Sequence, residues 1–140
     1  MTSVRSAKSK GSQYEMSVRD SLVQKYPDTL LTKQEGYQLQ YDIVVHSAGI
    51  AIECKRHKSF SWNELVKYFN KLKTRISKDY QPFLIFQANR QPCLVMMEYP
   101  LYHHEKVEYV LQVRTFESVF GVPFIVHNAK KKEEVKQNEL

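Results

Sequence analysis

Apolar positions in this chain change period several times, and each change marks an element. The clearest helical period lies between Ser59 and Lys78. There Trp62, Leu65, Val66, Phe69, Leu72 and Ile76 recur at i, i+3, i+4 and i+7 spacing. Ser61-Trp62-Asn63-Glu64 opens this helix as an S-x-x-E capping box. The opposite face carries Asn63, Lys67, Asn70, Lys71, Thr74 and Lys78. Trp62 lies on the apolar stripe and is expected in the core rather than as an open platform for a base. A first helix is expected from Ser12 to about Tyr26, ahead of Pro27, with Val18, Leu22, Val23 and Tyr26 as its stripe. Tyr41–His46 and Ile50–Lys55 read as the two strands of a hairpin around Ser47-Ala48-Gly49. Pro82–Ala88 is a continuous apolar run, expected as a buried strand. Strand, basic helix and buried strand in that order place the two strands parallel. Further strands are expected at Cys93–Tyr99, closed by Pro100, at Tyr109–Arg114, and at Pro123–His127, the last at an edge or a subunit contact. Thr115 is expected to cap a short helix that Gly121 stops. The elements define an α/β class.

The 140-residue length bounds this to one domain with a real core, and 42% hydrophobic content agrees. A basic, serine-containing stretch over 1–11 reads as a flexible arm. A single domain follows over 12–128, and 129–140 reads as a charged flexible tail. No apolar run approaches the ~20 residues that span a bilayer, and the N-terminus lacks a signal-peptide core. An intracellular, cytoplasmic protein with no membrane partner is expected. Cys54 and Cys93 sit in apolar strand patterns and are expected as buried thiols. Tyr102-His103-His104-Glu105 is expected as a surface loop, because adjacent side chains do not converge on a metal.

A formal charge of +6 favours an anionic partner, nucleic acid first. From Lys55 to Lys78 there are eight Lys/Arg residues and one acid, Glu64. Arg5, Lys8 and Lys10 in the arm, with Lys58, Lys67 and Lys71, are the candidate phosphate contacts. Within the hairpin, Asp42, Glu53 and Lys55 interrupt apolar strands, a costly arrangement unless the charges are paired or bind something. They form either an internal ion pair or the oxygen-rich site that Mg²⁺ prefers. Register discriminates. A three-residue loop sets Asp42 opposite Cys54, on the wrong face, a two-residue loop sets it opposite Lys55, and a four-residue loop sets it opposite Glu53; a bulge would serve too. Glu15 lies on the apolar side of the first helix. It either completes a Ser12–Glu15 capping box or reaches the same site.

The ordered set Glu15, Asp42, Glu53-Cys54-Lys55, with Lys10-Gly11-Ser12 upstream, resembles the PD-(D/E)xK nucleases. It is most similar to archaeal-type Holliday junction resolvases, phage versions included, over roughly Lys8 to Ala88. Two departures are Tyr41, where proline is common, and Met16, where resolvases often carry arginine. The resemblance implies a restriction-endonuclease-like mixed β-sheet flanked by helices. It also implies an Mg²⁺-dependent structure-selective endonuclease, with Mn²⁺ substituting, that acts on four-way DNA junctions in recombination and repair as a homodimer. Asp42, Glu53 and Glu15 would hold the metal, and Lys55 would complete the catalytic set. The alternatives are another repair or restriction-like endonuclease of the superfamily, or a non-catalytic nucleic-acid-binding domain of the same fold.

Overall fold

A computed structural model describes residues 4–34 and 40–127, with backbone alone for 4–10. The elements run α1 (Val4–Val23), β1 (Leu30–Leu31), β2 (Ile43–Val45), β3 (Ile50–His57), α2 (Trp62–Arg75), β4 (Gln81–Ala88), β5 (Leu94–His103), β6 (Lys106–Thr115) and α3 (Phe116–Phe120). The six strands form one sheet in sequence order. Only β3 and β4 are parallel, joined through α2 as the strand–helix–strand pattern predicted; every other neighbouring pair is antiparallel. This is a mixed sheet flanked by helices, in line with the expected restriction-endonuclease-like fold.

Alternation on β3 divides the core. Ile50, Ile52 and Cys54 join Tyr14, Val18 and Leu22 of α1 and Phe116 and Phe120 of α3 on one face. On the other face Ala51 packs with Leu72, and Leu65 and Phe69 of α2 cover Leu84, Phe86 and Met96. Phe69 is fully buried. Truncating such a side chain to alanine costs about 3–5 kcal/mol, so the hold of α2 on the sheet rests largely on this one ring. Ser61 caps α2 and Thr115 caps α3, each accepting a backbone N–H from three residues on at 3.2 Å, and Gly121 closes α3 in the left-handed conformation.

Four departures from the sequence pattern have physical causes. Helix α1 begins at Val4 rather than Ser12, so the basic stretch expected as an arm is helical from Val4 onward. Gly11 is its one strong helix-breaker, and an interior glycine costs only about 1 kcal/mol. Trp62 is 55% exposed, because it opens α2 directly after the cap, before the packed turn at Leu65 begins. Strand β5 runs through Pro100 to His103. Beyond Met96 it has only β6 as a partner, so a residue lacking an N–H is tolerated on the open side. Pro123–His127 is not a strand. It lies along α1, where the Ser17 and Ser21 hydroxyls, one helical turn apart, take the place of a strand edge. Ser21 Oγ accepts from Ile125 N and Ser17 Oγ from His127 N, both at 2.8 Å. Residues 1–3, 35–39 and 128–140, including the expected tail, lie outside the described residues.

Candidate metal-dependent active site

The hairpin register decides where Asp42 stands. Val45 pairs with Ile50, Val44 with Ala51 and Ile43 with Ile52. His46–Gly49 is therefore the four-residue loop; the ladder ends at Ile43–Ile52, and Asp42, one residue before it, lies just outside the pairing. The loop needs its glycine: Gly49 sits at φ 63°, and a Cβ there would lie 3.1 Å from the Asp79 carbonyl oxygen. Asp42 N–H donates to Ile52 O at 3.0 Å, and the Asp42 carboxylate accepts from Cys54 N–H at 2.8 Å. Glu53 and Lys55 face α2, with Lys55 Nζ 3.5 Å from Glu53 Oε1, and Asp42 stands close enough to Glu53 to feel its charge.

Glu15 comes from α1. Because the helix starts at Val4, Ser12 is an interior residue and the capping-box reading fails. The Ser12 hydroxyl instead accepts from Lys33 Nζ at 2.8 Å, and the same ammonium pairs with Glu15 at 3.0 Å. Glu15 raises the proton affinity of Asp42 by charge and by a shared hydrogen bond, and adds charge repulsion at Glu53. The structure therefore brings together all four residues of the acid–lysine set.

Their electrostatics are those of a crowded anionic site. Loss of water, and then the Glu53 carboxylate, push Asp42 up to about 7, against the pull of the Cys54 N–H. Burial also raises Glu53, opposed by Lys55 and Arg75. A hard cation would relieve this repulsion, and an all-carboxylate donor set suits one. Among the described residues, no group of three or more His, Cys, Asp or Glu side chains is gathered tightly enough to hold an ion ready-made.

Asp42 binds its proton more tightly folded than unfolded. The metal-free protein therefore gains stability below pH ~4 that it loses as pH rises through about 7. Asp42→Asn keeps an acceptor for Cys54 N–H and removes the repulsion. Without metal at pH 8 it is expected to be more stable by about 1–2 kcal/mol, roughly 4–8 °C in Tm. Thermal melts of both proteins in EDTA at pH 5 and pH 8 check this: the gain should appear only at pH 8, and a loss of stability there would contradict the crowded-site account.

Several residues here escaped the sequence reading. The Lys55 ammonium lies 4.8 Å from the centre of the Tyr68 ring, a cation–π contact that fixes it. Tyr68, Lys71, Leu72 and Arg75 line a recess of about 90 Å³ with Glu53 and Lys55. Tyr68 flanks the apolar stripe of α2 on the side that meets β3, and only the packing angle of the helix reveals it. Lys33 had no local signal, because its partners are far away in sequence. Of the expected phosphate contacts, Lys67 and Lys71 share a face of α2 with Asn63, Asn70 and Thr74. Lys58 stands apart from them, in a groove on the α1 side of the sheet with Arg56. The side chains of Arg5, Lys8 and Lys10 lie outside the described residues. Cys54 and Cys93 are buried and free, as expected. Tyr102 and His103 end β5 rather than lying in the expected loop, with the turn to β6 at His104-Glu105, and His103 Nε2 lies 3.4 Å from Glu108 Oε2 across the hairpin.

A mixed sheet whose hairpin sets an acid opposite the E-x-K strand is the architecture of the PD-(D/E)xK nuclease superfamily. The sequence agrees: residues 6–139 match the family model described as "Phage putative PDDEXK endonuclease". The chain belongs to that family, an endonuclease family whose substrate class is nucleic acid. No curated protein and no solved structure matches it. Among the described residues, no helix is long and apolar enough to cross a membrane.

Proposed function

We propose that this protein is an Mg²⁺-dependent DNA endonuclease that resolves four-way junctions as a homodimer. The observation that carries the catalytic part is the Asp42 carboxylate bonded to the Cys54 N–H, between Glu53 and Lys55, which pair with each other. Asp42 and Glu53 are the metal ligands, with Glu15 completing or supporting the set. A bound divalent ion would neutralise phosphate charge and acidify a water. Lys55, steered by Glu53 and Tyr68, donates hydrogen bonds to the attacked phosphate and the charge that develops on it. Lys33 holds Glu15 in place, and Arg75 adds positive charge beside Glu53.

The junction preference draws on the resemblance over Lys8–Ala88 and on a phosphate-tracking α2 face. Shape and phosphate contacts, not base edges, would set it. Lys67→Gln with Lys71→Gln is expected to reduce the slope of log K against log salt by about 1.8, at ~0.9 per lost phosphate contact. Binding titrations from low to moderate salt measure this, and an unchanged slope would place the DNA elsewhere.

The dimer draws on the β5–β6 ribbon, which runs past β4 and exposes Tyr102 (77%) and Tyr109 (65%) beside Val107. A two-fold assembly suits paired cuts in opposed strands. Tyr109→Lys is expected to shift the mass in sedimentation from dimer to monomer; an unchanged mass would exclude the ribbon as the interface.

The non-catalytic reading has one observation in its favour: Glu15 and Glu53 already have lysine partners without a metal. Cleavage of a synthetic junction, a duplex and a flap, with Mg²⁺ or EDTA, separates resolvase, general nuclease and silent binding domain.

A further inference from the structure

Lys55 and Arg56 are neighbours on β3 and project to opposite faces of the sheet. Lys55 enters the acid cluster. Arg56 enters a groove of about 570 Å³ bounded by α1, the C-terminal ends of β3 and β4, and the Pro123–His127 segment. That volume lies within the range of ligand-binding clefts. Its outer wall is fixed, because Ser17 and Ser21 hold the segment to α1. Gln13, Lys58, Gln87, Asn89 and Phe124 line it with Arg56.

Arg56 is held but not neutralised. Its three bonds go to His57 O (3.2 Å), Gln87 O (3.1 Å) and Asn89 Oδ1 (2.9 Å), and all three use Nη1. Among the described residues no carboxylate pairs with it. The guanidinium is therefore pre-oriented, with Nη2 and Nε left for an anion, the fork geometry that grips phosphate. Lys58 adds a second positive charge at the mouth. Phe124, packed on Tyr14 at 6.0 Å between ring centres, supplies an aromatic wall, and the Gln13, Gln87 and Asn89 amides supply donors and acceptors for base edges. A cationic groove with an aromatic wall and polar amides is suited to unpaired nucleotides; a duplex, with its bases stacked inside, cannot present them there.

We propose that this groove binds unpaired nucleotides of the DNA strand that is cut on the other side of β3. It deepens the nuclease reading and rests on it. The strand would pass over the end of β3, from the Lys55 face to the Arg56 face, so that substrates with frayed or unpaired nucleotides beside the scissile phosphate are favoured over continuous duplex.

The test is fluorescence anisotropy of a labelled ~10-nucleotide oligothymidylate and a blunt duplex, in EDTA, with the full chain. Arg56→Gln removes the fork. Gln13→Trp, at an exposed helical position on the rim, fills the groove without touching Arg56. Each variant is expected to weaken single-strand binding by about tenfold or more and to leave duplex affinity within about twofold. Failure of the wild-type protein to bind the oligonucleotide, or single-strand affinity unchanged in Gln13→Trp, would overturn the assignment. Wild-type cleavage of duplex and flap in Mg²⁺, measured in parallel, reports on the nuclease reading independently: a protein that cuts but whose variants bind as before loses the groove and keeps the active site.

Discussion

Glu53→Gln is expected to abolish DNA cleavage while leaving DNA binding within a few-fold of the parent. The substitution keeps shape and hydrogen-bonding capacity but removes the charge of one of the two acids that crowd each other at the β2–β3 hairpin. Groups that merely orient metal ligands cost 10–100-fold when lost, so loss of a ligand charge should exceed about 100-fold. Affinity should survive, because it is spread over many lysines and arginines, most of them away from Glu53. The same logic gives a pH dependence. Asp42, raised to about 7, must lose its proton before it can bind a cation, so metal affinity should fall steeply as pH drops below about 7. Calorimetric titration of Mn²⁺ at pH 6 and pH 8 reads this without any cleavage assay. Equal affinities at the two pH values would remove Asp42 from the site.

Lys55→Met is expected to lower the single-turnover rate by about 10²–10³, the usual cost of losing one donor aimed at developing charge. Metal and DNA affinity should be retained, since an interaction made mainly in the transition state appears in the rate constant. The 3.5 Å pair with Glu53 supplies the competing structural explanation. If that pair were the whole role of Lys55, the variant would leave a half-buried carboxylate uncompensated and lose stability, and Mg²⁺ would not restore it. Melting with and without Mg²⁺ therefore accompanies the rate measurement. A folded variant that cuts at the parent rate would take the lysine out of the chemistry.

The clustering of the acids with Lys55 was legible because their spacing is strict. Asp42 and Glu53 flank a short loop with one glycine, and a strand alternates with period two. A two-, three- or four-residue loop or a bulge was open to the hairpin; the turn over His46–Gly49 selects the four-residue loop, and Asp42, beyond the last pair, bonds across to Ile52 and Cys54. The parallel crossover was legible for a similar reason, since an amphipathic helix between two apolar strands leaves few topologies. Misreadings fell where a residue's surroundings are set by distant chain. Ser12 and Glu15 have the spacing of a cap, yet Lys33 takes both inside a longer helix. Trp62 obeys the helical period but stands one turn ahead of the packed region. Pro123–His127 has a strand's composition, but its hydrogen bonds go to serine hydroxyls on α1, which no local pattern signals. Tyr68 and the unused edge of Arg56 depend on packing angles and rotamers that a sequence does not display.

The most direct measurement of the central claim is cleavage of a labelled four-way junction by the wild-type protein, beside duplex and flap controls, in Mg²⁺ and in EDTA. The account predicts paired cuts in the junction with Mg²⁺, none with EDTA, and none with Glu53→Gln under either condition. Tight junction binding without cutting in Mg²⁺ or Mn²⁺, or cutting by Glu53→Gln at the parent rate, would contradict it.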